Sequence, residues 1–520
     1  MHGLEQLLGL FIAALILAGT ARHFGAPYPV FLALGGAVLA FLPGAPTFTV
    51  PPELALAIFV APILLDTAHD ASIRDLKDNW ASLTGLVVFA VGLTTLAVAV
   101  VARALIPDMP WGPAIALGAV VAPPDAVAAT SVLRLVKPPH RILTILEGEG
   151  LLNDATALLI FRVAVGAVAA SEFSFAAVAP TFALAVVGSL IAGPALGWVT
   201  LRLMDRIDHV PTAVILQFVT TFGVWILAEE VGLSGVLTMV CYAITLARSA
   251  PERTPARIRV PTYAVWETVV FALTLLAFIF IGLQIRPILA SLEAVDRGRY
   301  FTFAGAVLAT VIVVRLAWHM SFNAVTRWRH RAVGFNPPRP MLRPTVGTGL
   351  IISWSGMRGI VTLAAALALP AAFPHRDLIV FTAFIVVLGT LVIQGMTLKP
   401  LLHWLNLRDD DPVGREVRAA RERALHAGLG SFEGDTSSVA VSVRHVLTAQ
   451  LTHERRAGSA GNSIRVAHNQ LHGGALAAAR KAVHDMRASE EIGDDAFHMM
   501  EEELDWIEMS EGGNREDGPR

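Results

Sequence analysis

Thirteen apolar stretches recur through the first 405 residues, each close to the length that crosses a hydrocarbon core of about 30 Å. They run approximately over 4–21, 26–43, 51–69, 81–105, 111–133, 142–168, 174–203, 210–229, 233–247, 261–285, 301–324, 345–370 and 376–404. Their apolarity is nearly continuous, which predicts helices, because a membrane barrel shows shorter alternating segments. The first stretch has neither a basic leader nor a small-residue cleavage site and is expected to persist as a helix. The chain is 54% hydrophobic and 16% charged, against about 25% charged in a soluble domain, which argues against a large cytosolic enzyme. Lys plus Arg number 40 and Asp plus Glu 42, so the net charge gives no ground for a nucleic-acid partner. A single cysteine, Cys241, rules out a disulfide framework or a cysteine-based metal centre.

Charge is unevenly placed. About 35 charged residues fall after Leu407, while before it only about one residue in nine is charged. A membrane domain over 1–406 and a helical tail over 407–520 are therefore expected. With the N-terminus outside, the inner loops hold 17 basic residues and the outer loops only Arg286, Arg297, Arg299 and Arg376. The inner set includes Arg134, Lys137, Arg141, Arg253, Arg257, Arg327 and Arg343. That bias places the tail in the cytoplasm and favours an odd number of crossings. Within the tail, helical patterns cover Glu416–His426, Ser437–Arg456, Ile464–Ala488 and an acidic Asp494–Met509. Glycines at 428, 430 and 434, and a Gly/Ser break at Gly458–Ser463, separate the first three. The tail reads as a regulatory or dimer-supporting domain or as a solvated bundle, with the stretch from Glu511 disordered. No phosphate-binding loop, metalloprotease motif or nucleophile elbow occurs in a plausible context, so neither an ATP-driven pump nor an enzyme is indicated.

The informative residues are the ionisable ones inside apolar runs, each of which costs about 2.5–3.5 kcal/mol at a bilayer centre on insertion scales. The third run carries Asp66, the fifth Asp125 within Ala122-Pro-Pro-Asp-Ala126, and the sixth Glu147, Glu149, Asn153 and Asp154. The tenth carries Glu267, the eleventh Arg315 and the twelfth Arg358. Pro123 and Pro124 cannot both sit in a continuous helix, since each lacks an N–H and crowds a carbonyl one turn back. A break there frees carbonyls beside Asp125. Ser353-Trp-Ser-Gly-Met-Arg-Gly359 is a matching weak point in the twelfth run. The two lie seven crossings apart, so helices 1–6 and 8–13 are expected to be inverted repeats with two interrupted, crossing helices. Glu147 and Asp154, seven apart, share a helix face, while Glu149 and Asn153 share roughly the opposite one. Asp125 and Asp154 are hard oxygen ligands for Na⁺, and each can hold a proton instead, the minimum machinery of exchange. Glu149 needs a buried cation, for which Arg315 and Arg358 are the deep candidates; such a pair reads as scaffold. Glu147 reads as a helix-end residue, Glu267 as either an interfacial or a functional acid, and Arg162 as snorkelling to the outer interface.

These residues carry a family resemblance over roughly residues 4–405. Leu146-Glu-Gly-Glu-Gly-Leu-Leu-Asn-Asp-Ala155 resembles the L-E-G-E-S-L-L-N-D-A signature of the monovalent cation:proton antiporter-1 family. Pro123-Pro-Asp-Ala-Val127 is similar to its T-D-P-V-A element, Ser355-Gly-Met-Arg-Gly359 to its G-L-R-G element, and Phe278–Gln284 to the end of its tenth helix. The resemblance implies that Asp154 is the essential cation/proton carboxylate with Asp125 as co-ligand, and that Asn153 marks an electroneutral exchanger. It puts Asp66 near the cavity, Glu149 with Arg315 in a buried ion pair, and Arg358 at a supporting position. It further implies a homodimer that moves a core against a dimer domain, no cofactor beyond the transported Na⁺ and H⁺, and a place in a bacterial inner membrane serving pH and sodium homeostasis. K⁺/H⁺ exchange and a tail-gated cation channel are the competing expectations. Gly150 and Pro124 depart from a frequent Ser and Thr, and Thr274 from a frequent Asn. Pro124 still offers its carbonyl to an ion, and water can replace the lost hydroxyls.

Overall fold

The computed structural model describes residues 2–43, 51–70, 79–134, 138–169, 175–292, 297–333, 345–407, 412–431, 433–460, 475–486 and 503–507, with single positions at 72, 74, 77, 136, 489 and 500. Every regular element among these residues is a helix. Two compact units divide the chain, Met1–Asp410 and Asp411–Arg520.

In the first unit we number the helices α1 (His2–His23), α2 (Tyr28–Leu39), α3 (Ala61–Asp70), α4 (Val91–Leu105), α5 (Trp111–Val121), α6 (Ala126–Leu133), α7 (His140–Ala169) and α8 (Phe175–Met204). There follow α9 (Val210–Glu230), α10 (Gly235–Arg253), α11 (Ala256–Leu283), α12 (Arg297–Val333), α13 (Val346–Trp354), α14 (Ile360–Leu367) and α15 (Arg376–Leu405). Helix lies in each of the thirteen expected segments. Among the described residues nine helices are long and apolar enough to cross a membrane, while Tyr28–Leu39 and Gly235–Ala250 are shorter apolar helices. The expected fifth and twelfth spans are each cut into two half-helices, α5/α6 and α13/α14. Wide π turns, Leu56–Val60 and Gly85–Ala90, lead into α3 and α4; such turns re-aim side chains and recur at functional sites.

The helix ends follow local chemistry. Ser234 caps α10 by accepting from the Leu237 N–H at 3.3 Å. Thr345 and Thr348 form a reciprocal capping box at the start of α13. His375 and Asn406 take left-handed conformations at the two ends of α15. Packing divides into two groups. Helices α4–α7 gather with α12–α15, and α1–α3 with α8–α11, α3 touching α10 while its π turn touches α14. Small residues let the backbones meet. A Cβ at Gly36 would collide with the Ile279 carbonyl of α11, and one at Gly282 with the Ala33 carbonyl of α2, the close approach that drives helix association in lipid.

The second unit contains α16 (Pro412–Gly430) and α17 (Ser438–Ala460), which pack against each other. Helix α16 runs through the expected interruption at Gly428, where Leu447 packs against the glycine. Between them Gly434 has φ +97°, and Asp435 accepts from the Ser437 N–H at 2.9 Å, which holds its carboxyl below the ordinary value. Helix α17 continues past Gly458, so the expected break does not start there. Of the expected helix over 464–488 the structure describes 475–486, and of 494–509 only 500 and 503–507. The basic positions 339 and 343 and the end from 511 lie outside the described residues.

Candidate functional site

The two broken helices cross and are stitched together at their breaks. Pro123 and Pro124 end α5, and Asp125 restarts the helix as the N-cap of α6, its Oδ1 accepting from Val127 N at 2.9 Å and Ala128 N at 3.3 Å. The Asp125 N–H donates to the Met357 carbonyl in the opposite break at 2.6 Å. Gly359 starts α14 directly against the Asp125 carboxylate, where any Cβ would collide with Oδ2. Arg358 is fully buried. Its Nε donates to the Val121 carbonyl at 3.0 Å, its Nη2 to the Ala122 carbonyl at 3.2 Å and its Nη1 to the Gly356 carbonyl. The guanidinium thus satisfies carbonyls left without partners at the C-terminal end of α5 and meets the negative end of its dipole. Thr390 of α15 accepts from the Arg358 N–H at 3.0 Å, a contact with no signal in the sequence.

Beside this crossing α7 presents two faces. Asp154 is partly exposed to a cavity that Pro123, Pro124, Asp125, Gly150, Thr274 and Gly359 also line. The expected carboxylates Asp125 and Asp154 therefore share one cavity, with Pro124 in its wall. Asn153 is fully buried between the elements, its Nδ2 donating to the Pro124 carbonyl at 3.4 Å and its Oδ1 unpartnered. Glu149, on the other face, forms a two-pronged ion pair with Arg315 at 2.6 and 2.8 Å. Arg315 also donates to the Ser353 carbonyl at 3.2 Å and the Ile352 carbonyl at 3.3 Å. This pair, 1% and 3% exposed, ties α7 to α12 and α13 and settles the choice of partner for Glu149, since Arg358 is committed to carbonyls. Gly150 packs so tightly on the Ala126 side chain that a Cβ there would overlap it. A serine at this position would meet the same overlap.

Asp66 is not brought to the carboxylate cavity. From α3 and its π turn that cavity takes Val60, Ile63, Leu64 and Thr67, one helical stripe. Asp66 sits one residue, about 100°, off that stripe. It lines a second cavity of about 540 Å³ together with Arg134, Arg259, Tyr263, Trp266 and Glu267. Thr274 lines the first cavity, but its hydroxyl donates to the Val270 carbonyl at 2.7 Å. Glu147 pairs with Arg134 at 3.8 Å near the helix end. Arg162 does not simply snorkel; it pairs with Glu229 and donates to the Leu233 carbonyl at 3.3 Å, joining α7 to the α9–α10 corner.

Two carboxylates around a small cavity, with the Pro124 carbonyl tied to the buried Asn153 amide beside them, form a donor set for a hard cation or a proton. The comparisons with known proteins agree with that chemistry. An uncharacterized Na⁺/H⁺ exchanger of Mycobacterium tuberculosis is 31% identical over 88% of this chain and 84% of its own length. A sodium, potassium, lithium and rubidium/H⁺ antiporter of Bacillus subtilis is 26% identical over 93% of this chain and 74% of its own. The fold resembles that of the sodium proton antiporter MjNhaP1 from Methanocaldococcus jannaschii, with a TM-score of 0.59 at 17% identity, covering 78% of this chain and 99% of that one. The family model for the transmembrane sodium/hydrogen exchanger matches residues 10–404. The chain belongs to the sodium/hydrogen exchanger family.

Proposed function

We propose that this protein exchanges a monovalent cation for a proton at Asp154, with Asp125 as co-ligand and the Pro124 carbonyl and Asn153 amide completing the site. The single observation that carries this reading is that Asp125 and Asp154 line one cavity at the crossing of two broken helices. Among the described residues neither carboxylate pairs with a cationic side chain, whereas Glu149 has Arg315. A buried carboxylate without a cation is costly, so the site holds either a proton or a metal ion, and the uncoupled leak is disfavoured. Glu149 and Arg315 act as scaffold, and Arg358 fastens the two breaks. Asp66 and Glu267 line the larger cavity as acids on the approach, not as ligands.

Na⁺ is the proposed cargo in an electroneutral exchange, with Asn153 standing where an electrogenic exchanger would carry a second acid. The broader ion range named for the Bacillus relative keeps K⁺ and Li⁺ as competing cargoes. We further propose a homodimer in a bacterial inner membrane, with residues 1–406 as the antiporter domain and 407–520 as a cytoplasmic tail. The basic-loop bias supports that orientation. In everted vesicles, addition of Na⁺ should dissipate a preformed pH gradient. Asp154→Asn and Asp125→Asn should each abolish the response while leaving a folded protein in size-exclusion chromatography. Full activity in either variant removes that residue from the site, and a voltage-driven conductance in place of exchange supports the channel reading.

A further inference from the structure

Arg141 opens α7 at the end that carries the basic loops, and it is only 8% exposed. Its Nε donates to the Asn79 side chain at 3.3 Å. Among the described residues no carboxylate lies within ion-pair distance of its guanidinium, in contrast to Arg315 one layer deeper in the same bundle. Facing the same cavity is His319 of α12, 7% exposed, whose Nε2 is buried without a hydrogen-bond partner. Arg315, one turn before His319, is committed to Glu149, Ile352 and Ser353. The cavity measures about 40 Å³ and is completed by Gly85 and Leu86 of the second π turn, Trp318, Asn323 and Thr348.

A buried guanidinium with no counter-anion is among the more expensive arrangements a protein can keep, and nature usually neutralises it. Its planar fork and an imidazole N–H are donors that suit an oxyanion with several acceptor oxygens better than a monatomic one. We propose that the cavity between Arg141 and His319 binds a phosphate-type anion, supplied either by the headgroup of a bilayer lipid or as free phosphate. Outside it, Phe89 stacks on Trp318 at 5.9 Å and, with Val88, is left exposed on the apolar flank of the unit. A lipid whose phosphate entered the cavity would lay its chains along those residues. An anion bound there would clamp the start of the helix that carries Asp154 to the second π turn, α12 and α13, at a place the exchange chemistry does not use.

The test is the thermal unfolding of the purified full chain in a neutral detergent. Inorganic phosphate is titrated against chloride at matched ionic strength, and phosphatidylglycerol against diacylglycerol, which has the chains without the phosphate. The wild-type midpoint should rise with the logarithm of phosphate or phosphatidylglycerol concentration, by on the order of 5 °C at a hundredfold excess over Kd. A response to inorganic phosphate identifies the free anion, and a response to the lipid alone identifies the headgroup. Arg141→Met should lose the response and, without phosphate, melt at or above the wild type, because an unpaired buried charge has been removed. His319→Gln should weaken the response. A midpoint that ignores both sources, that rises equally with chloride or diacylglycerol, or that responds equally in Arg141→Met overturns the proposal. So does an Arg141→Met that is destabilised to the same degree with and without phosphate, which would make Arg141 a purely structural partner of Asn79.

Discussion

Replacing Gly359 by alanine should weaken Na⁺ binding while leaving the protein folded. The new Cβ would overlap Oδ2 of Asp125 and stand 2.5 Å from its Cγ, where ordinary contact begins at 3.4 Å. Gly359 is held by the start of α14, so the carboxylate is the part that yields, turning Oδ2 away and withdrawing its Cγ by about 1 Å. Two consequences follow on different scales. Retreat breaks the cap on α6, which costs about 1 kcal/mol, a modest fraction of the 5–15 kcal/mol typical of domain stability. Moving one carboxylate by about 1 Å from a cation in contact costs roughly 2 kcal/mol at an effective dielectric constant of about 20, which weakens binding about 25-fold. The apparent KM for Na⁺ in vesicles should therefore rise by that order, with the detergent melting midpoint lowered by only a few degrees. An alanine variant with unaltered Na⁺ affinity would refute the argument, since it would mean that Asp125 is not a ligand or that Gly359 does not abut it. Wholesale unfolding would refute it differently, by showing that the crossing cannot absorb the displacement.

Other expectations concern the same few contacts. Arg315→Ala should lower yield and thermal stability strongly, on the order of 3–5 kcal/mol for a broken buried pair, while Glu149→Leu with Arg315→Met should recover much of the loss; an unchanged melting midpoint in the single variant contradicts the pairing. Because a proton and a cation compete for one pocket, lowering the pH should raise the apparent KM for Na⁺ without lowering the maximal rate, and a profile in which only the maximal rate falls argues against competition. Gly150→Ser should impair the protein through overlap with the Ala126 side chain, and Ala126→Gly in the same chain should relieve it; a benign single variant would mean that α6 and α7 separate more easily than their packing implies.

Much of this arrangement is legible in the sequence where local chemistry admits one outcome. Tandem prolines before Asp125 interrupt a helix and glycines around Arg358 weaken one, so both breaks are foreseeable, and the Glu149/Asp154 division of α7 follows from helical periodicity. What hydropathy does not carry is rotational phase and distance. Asp66 and Thr67 are equally apolar-flanked, yet one residue of rotation, set after the π turn at Leu56–Val60, sends them to different cavities. Arg162 meets Glu229, 67 positions away, and no local pattern announces a contact of that range. Arg358 reads as a second candidate partner for Glu149 until the chain is folded and its guanidinium is seen against the end of α5. Arg141 is counted among loop cations because it borders a basic stretch, and only packing reveals that it is enclosed.

The two interrupted segments are joined by the Asp125–Met357 backbone bond, by the Arg358 fork on Val121 and Ala122, and by the contact of Gly359 with Asp125. Prising them apart would strand several main-chain groups in a nonpolar interior. Whatever motion delivers cargo across the bilayer therefore has to transport this junction intact. An ion carried in an unchanging cradle is judged by one criterion on both banks, so the rank order of Na⁺, Li⁺ and K⁺ should be the same whether each is offered from within or from without.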